Sequence, residues 1–271
     1  MTFAFQPPQM QRSHGEAAVS LSFRAGRVRI GALRQRGSAK AILPHVGYIP
    51  EVVFLNTSGG LTGGDRLSYA LCLGDGTRAV ATTQTAERAY KAGGGSARVN
   101  VDLSVGQGGW VDWLPQETIL FDAASVDRRT TIDLARGAGC LALEAVILGR
   151  AAMGETVGQL HFSDRREIRR AGSTVMVEPL LLTDDCLAAG HAVLGGARCF
   201  ASLVMVADGA GDALTVVRDA LAEPGVQSGA SAFDGKLTVR LMAADGWPLR
   251  RQIVRVLAAL RQVALPRVWQ L

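Results

Sequence analysis

The pattern Leu-x-x-Gly-x-Gly occurs three times, as Leu71…Gly74…Gly76, Leu103…Gly106…Gly108 and Leu134…Gly137…Gly139, with copies 32 and 31 residues apart. Each copy closes a stretch in which apolar residues alternate with polar ones: Leu67–Leu73, Val99–Val105 and Thr131–Leu134. Such alternation is the period of a strand with one covered face. After each copy an apolar run returns, at Ala79-Val80, Trp110–Leu114 and Cys140–Leu148. A strand, a glycine turn and a returning strand, repeated at this period, describe a hairpin-like unit stacked on its copies to bury a continuous core. The period of two excludes helical repeats. The expected fold is mainly β, a β-helical (solenoid-like) or layered single domain.

Few helices are expected. Thr85–Lys91 could form a turn or two, and Asp212–Ala222 a short helix stopped by Pro224 and Gly225. The clearest is a C-terminal amphipathic helix from Leu249 to about Ala264, ended by Pro266. Ile253, Leu257, Leu260 and Ala264 share one face, and Arg251, Arg255 and Gln262 form a basic stripe on the other. Leu237–Leu241 returns to strand character. No stretch reads as an interdomain linker, so residues 1–271 are taken as one domain.

Residues 56–65 read Asn-Thr-Ser-Gly-Gly-Leu-Thr-Gly-Gly-Asp. Gly59, Gly60, Gly63 and Gly64 specify a tight turn that carries Asp65 or packs against another backbone. A phosphate loop would need Lys and Ser or Thr after the last glycine, whereas Asp65 and Arg66 stand there. A dinucleotide fingerprint fails as well, because no helical pattern follows.

The charge balance is +5, with 29 basic and 24 acidic residues, and the only lysines are Lys40, Lys91 and Lys236. Such an arginine-rich surface suits acidic protein partners as readily as nucleic acid, but no nucleic-acid-binding signature accompanies it. Cys72, Cys140, Cys186 and Cys199 show no C-x-x-C spacing, and Cys72 and Cys140 read as small buried hydrophobes. His14, His45, His161 and His191 are scattered, so no tight metal site is visible. Met1–Glu16 has no apolar signal core and no run approaches membrane-spanning length, which sets a reduced cytoplasm as the expected compartment.

Three acids stand among apolar residues: Glu117 in Leu114–Phe121, Glu144 in Leu141–Leu148 and Glu178 in Val175–Leu182. An ionised carboxylate there is costly unless it is paired, turned outward by strand alternation, or facing a wet cavity. Buried acids could pair with arginine, serve in acid–base chemistry or hold a cation transiently. The residues alone leave two functions open. One is a β-solenoid enzyme using paired carboxylates on a carbohydrate. The other is a non-catalytic β scaffold working on a partner protein or an ion. The 6% aromatic content argues against a sugar cleft.

Five segments together resemble the urease accessory protein UreD (UreH) family. They are Gly59–Asp65, Thr82–Tyr90, Leu114–Phe121, Leu148–Glu155 and Leu265–Trp269, in the family's order from about residue 45 onward. The resemblance implies a β-helical fold and no catalysis. It implies a scaffold that bridges urease to UreF, which carries the GTPase UreG, with no nucleic-acid or membrane partner. It implies nickel in transit through the interior, with no tightly bound cofactor. Carried over by position, Asp65, Glu144 and Glu178 become candidate acids of the nickel path, with Glu87 in a segment where the acid is less regular. Gly59, Gly60, Gly63, Gly64, Glu117, Arg150 and Glu155 become structural or interface residues, Arg150 and Glu155 lying with Met153 and Gly154 in one signature.

Overall fold

A computed structural model describes residues 11–44, 49–189 and 191–270. His45 and most of the Met1–Glu16 segment lie outside the described residues.

The chain begins with a hairpin, β1 (His14–Arg24) and β2 (Arg27–Gly37), followed by β3 (Ala39–Ile42) and β4 (Glu51–Asn56). Coils then follow one another: β5 (Arg66–Leu73), β6 (Arg78–Thr83) and β7 (Glu87–Ala89); β8 (Ala97–Val105), β9 (Trp110–Leu114) and β10 (Thr118–Leu120); β11 (Ala124–Leu134) and β12 (Gly139–Leu148). A second hairpin joins β13 (Leu160–Arg170) to β14 (Ser173–Thr183). Beyond it come α1 (Asp184–Ala188), α2 (His191–Leu194), β15 (Cys199–Val206), α3 (Leu214–Ala220), β16 (Val226–Phe233), β17 (Lys236–Ala243) and α4 (Gly246–Leu260).

The strands form two sheets. The first runs β14-β13-β11-β8-β5-β1-β2 and the second β16-β17-β15-β12-β9-β6-β4-β3. β1, β5, β8, β11 and β13 pair in parallel, as do β4, β6, β9 and β12. This is the stacked, solenoid-like β fold expected from the repeat. The unit is not a hairpin, however: the strands before and after each glycine turn lie in different sheets and pair with the next coil instead.

The repeat is also slipped in its third copy. Leu71 pairs with Leu103, but Leu134 pairs with Val105. The glycines that stack are Gly76, Gly108 and Gly137, all left-handed, with φ of 63°, 64° and 68°. Their turns are linked by Gly76 N–H to Gln107 O (2.8 Å) and Gly108 N–H to Arg136 O (3.2 Å). The left-handed conformation, not the letter pattern, sets the register. A third face stacks Leu61, Ala89, Leu120 and Leu148 by parallel pairing. Thr85–Lys91, expected as a helical turn, therefore holds a strand, because its backbone partners are β10 and Leu61.

Between the sheets lies an apolar core of inward rows such as Val19, Leu71, Leu103, Ile132 and Ile168. A second core lies on the far side of the second sheet, where α3, α4 and the C-terminal segment cover Leu141, Leu143, Leu203 and Leu237. Cys140 is buried as expected, but Cys72 is exposed, since alternation along β5 turns it away from Leu71 and Leu73. The helix expected at Asp212–Ala222 starts two residues late, after a 3-10 turn.

α4 starts at Gly246, three residues before the expected Leu249, and ends at Leu260 rather than near Ala264. Arg261 is extended and its guanidinium is buried against Asp112 (Nε to Oδ2, 2.8 Å). The basic stripe is not free either: Arg251 and Arg255 both hold Glu223. Among the described residues, no helix is long and apolar enough to cross a membrane.

Candidate functional site

The interior of the first sheet changes character along the stack. One inward row reads Leu67, Val99, Arg128, Asp164, and the next reads Tyr69, Val101, Thr130, Arg166. Apolar coils thus give way to charged ones at β11 and β13. Facing them, β12 alternates Cys140, Ala142, Glu144 and Val146 toward the same interior, while Leu141, Leu143 and Ala145 face the second core. Both faces of β12 are covered, so alternation does not turn Glu144 to water.

Glu144 meets its charge partner across the sheets. Arg128 Nη1 lies 2.8 Å from Glu144 Oε2, and Trp113 Nε1 donates to Glu144 Oε1 at 3.0 Å. The same guanidinium donates to Asp164 through Nε (3.0 Å) and Nη2 (2.6 Å), and through Nη1 to the Thr118 hydroxyl (3.0 Å). Arg128 also sits over the Phe162 ring. One arginine is therefore shared by two carboxylates. Burial raises the Glu144 carboxyl above its ordinary value, and Arg128 opposes that rise.

A second cluster lies at the edge. Arg166 and Glu178 are cross-strand neighbours on β13 and β14, and their side chains pair. Arg166 Nη2 also donates to the Ser202 hydroxyl at 2.6 Å, while its Nε is buried without a partner among the described residues. Glu178 is held as well by Arg240. Glu144, Ser202 and Arg240 form one row across β12, β15 and β17. The two clusters line a cleft of about 770 Å³ between β13–β14 and β15–β17, whose walls include Glu144, Asp164, Arg166, Glu178, Lys236 and Arg240.

Glu144 also borders a small inner cavity of about 40 Å³, whose other polar walls include Arg128, Tyr69, Gln116 and Glu87. Glu87 accepts a hydrogen bond from Asn56 Nδ2 (3.3 Å) and forms no ion pair among the described residues. Burial pushes its carboxyl up to about 7, and the nearby charge of Asp65 adds to the rise. Glu178, Asp164, Glu144 and Glu87 thus line two successive spaces that share Glu144.

Asp65 stands apart from the cleft. Its two oxygens accept from Ser13 N–H (2.7 Å) and Thr62 N–H (2.8 Å), closing the glycine loop on itself and tying it to the residue that leads into β1. Gly60 and Gly63 pack closely on other backbone. A Cβ on Gly60 would strike Arg88 O and the Tyr90 ring, and one on Gly63 would strike the carbonyls of Gly94 and Gly95. Gly59 and Gly64 take positive φ (81° and 90°), and the Tyr90 hydroxyl donates to Gly59 O at 3.2 Å.

The remaining candidates fall at the surface. Arg150 donates to Glu155 through Nε (2.8 Å) and lies over Phe121, and this holds the Glu155 carboxyl down to about 2. Met153, beside them, is exposed. Glu117 pairs with Arg250 at 3.4 Å. Arg250 also donates to Gln116 Oε1 (2.8 Å) and stacks over Trp269, whose Nε1 donates to Leu114 O (2.9 Å). The Leu114–Phe121 and Leu265–Trp269 segments are therefore one packed unit.

Asp164, Arg128 and Arg166 were not singled out in the sequence. Each lies in a charged stretch that reads as a solvated strand. The signal that exposes them is parity: Phe162, Asp164, Arg166 and Ile168 share one face of β13, and the first and last are core residues. Among the described residues, no group of three or more His, Cys, Asp or Glu side chains is arranged to hold a metal ion.

The sequence matches the model of the family described as UreD urease accessory protein over residues 13–270. It is 63% identical to the urease accessory protein UreD of Cereibacter sphaeroides (strain ATCC 17025), covering 98% of this chain and 99% of that one. It is 53% identical to that of Paracoccus denitrificans, over 98% and 95% of the two chains. With that of Rhizobium leguminosarum bv. viciae it shares 46% identity over the full length of both.

Proposed function

The chain belongs to the UreD family of urease accessory proteins, and from that premise we propose that it is a non-catalytic scaffold that conducts nickel to the urease active site. In this reading it works in the cytoplasm, binds urease, and receives nickel from a UreF–UreG assembly. The observation that carries the nickel path is the file of carboxylates through the interior: Glu178 and Asp164 in the cleft, Glu144 between cleft and inner cavity, Glu87 in the cavity. Asp65 stands behind Glu87, at the glycine loop.

Separated oxygen ligands suit a cation that must leave again, whereas a closed cage of His and Cys would retain it. While no cation passes, Arg128 pairs with Glu144 and Asp164, and Arg166 and Arg240 pair with Glu178. A divalent ion advancing onto these three acids therefore displaces a guanidinium, whereas Glu87 has none to displace among the described residues. The enzyme alternative gains nothing from this geometry. Glu144 and Asp164 share one guanidinium, and a pair of acids so held is not poised as acid and base.

The test is nickel transfer to apo-urease with purified accessory proteins, comparing the wild type with Glu144→Gln and Asp164→Asn. The expected result is an intact accessory complex with a several-fold slower gain of nickel by urease. Transfer at the wild-type rate by both variants would remove these acids from the path.

A further inference from the structure

Among the described residues, the first sheet ends in an open edge at the N-terminal side of the stack. β2 is its last strand, eleven residues long and paired only with β1 among the described residues. Along β1 the inward residues Val19 and Leu21 are each 3% exposed. Their partners on β2, Leu33 and Ile30, are 45% and 54% exposed, and Phe23, opposite Val28, is 51% exposed. The inner apolar face of the sheet therefore runs one strand beyond its cover.

The opposite face of β2 carries Arg27, Arg29, Arg34 and Arg36. Among the described residues only Arg34 has an ion pair there, with Glu16 at 3.2 Å, and both groups are exposed. Charged residues on an edge usually keep other strands away. Here they face one side only, while Ile30 and Leu33 offer apolar surface on the other. The edge is selective rather than blocked.

We propose that β2 is a docking edge for an extended segment of a partner protein in which acidic and apolar residues alternate. Added as the next strand, such a segment gains the free backbone groups of β2. Its apolar side chains pack beside Ile30 and Leu33. Its carboxylates lie on the outer face beside the arginines, since successive side chains point to opposite faces. A like-charged or unpatterned segment would satisfy one face at most.

The test uses the full chain and a synthetic peptide of strand length alternating Glu and Val. One control has the same composition with the glutamates clustered, and another alternates Lys and Val. Binding is read by fluorescence anisotropy and the site by amide hydrogen exchange. The proposal expects the Glu/Val peptide to bind, to slow exchange within residues 27–36, and to weaken roughly tenfold in the Arg27→Glu/Arg29→Glu variant and at high salt. Both side chains are solvent-exposed, so the variant is expected to keep its fold, checked by its thermal melt. No binding, equal binding of either control, insensitivity to the charge reversal, or protection at β14 instead of β2 would overturn it. So would self-association of the chain that itself shields β2 in sedimentation and exchange measurements.

Discussion

Arg128 and Glu144 face each other from opposite sheets with 2.8 Å between nitrogen and oxygen, and their side chains are almost fully enclosed. The second nitrogen of the same guanidinium reaches Asp164 at 2.6 Å. Removing the cation leaves two carboxylates in a low-dielectric interior. Arg128→Ala is therefore expected to cost about 3–5 kcal/mol in urea unfolding, the range for breaking a buried pair. Glu144→Gln, which leaves Arg128 paired with Asp164, is expected to cost clearly less. Equal losses would mean that the shared pairing is not what stabilises this end of the stack.

The glycine loop separates two kinds of constraint. Gly59 has a positive φ with open space around it, so Gly59→Ala should cost about 1–2 kcal/mol from backbone strain. Gly60 also has a positive φ, and a Cβ there would meet Arg88 O and Tyr90. Gly60→Ala is expected to add about 1–3 kcal/mol for overpacking. Thermal melts of the two variants decide it, and equal Tm values would contradict the close packing.

Glu87 gives a pH dependence of stability. Its carboxyl titrates near 4.5 when unfolded and at about 7 when folded. Between those values the folded chain holds the extra proton, so stability falls as pH rises through this window and levels off above it. Glu87→Gln should flatten that part of the profile. Urea midpoints at pH 5 and pH 8 measure it, and an unchanged slope in the variant would show that another group is responsible.

Trp269 fastens the C-terminal segment to Leu114 and lies under Arg250. Trp269→Ala is expected to cost about 3–5 kcal/mol, as for other large-to-small changes in a core. Increased proteolysis after Ala264 would accompany it. A variant as stable and as resistant as the wild type would mean that the segment is not part of the core.

The stack was legible because its residues alternate at a period of two and its turns need left-handed glycine. What the letters hid was register. The third copy is displaced because Gly137, not Gly139, takes the left-handed position beneath Gly108. The acids were legible only as anomalies in apolar runs. Glu144 sits on a strand covered on both faces, so neighbouring residues could not say which way it points. Arg128, Asp164 and Arg166 were invisible for the opposite reason, since the charged neighbours Arg129, Arg165 and Glu167 mask an inward row. The helical reading of Thr85–Lys91 failed because β7 owes its conformation to strands distant in sequence, and short segments without periodicity carry no such signal. The end of α4 was misplaced because Arg261 leaves the helix to reach Asp112, a contact 149 residues away in sequence.

The proposed role requires this chain for nickel to reach urease. The most direct measurement is the nickel content and activity of urease purified from nickel-supplied cells that carry the urease genes and the other accessory genes, with this chain omitted and then restored. Equal urease protein is expected in both, with nickel and activity only on restoration. Fully loaded, active urease without this chain would contradict it.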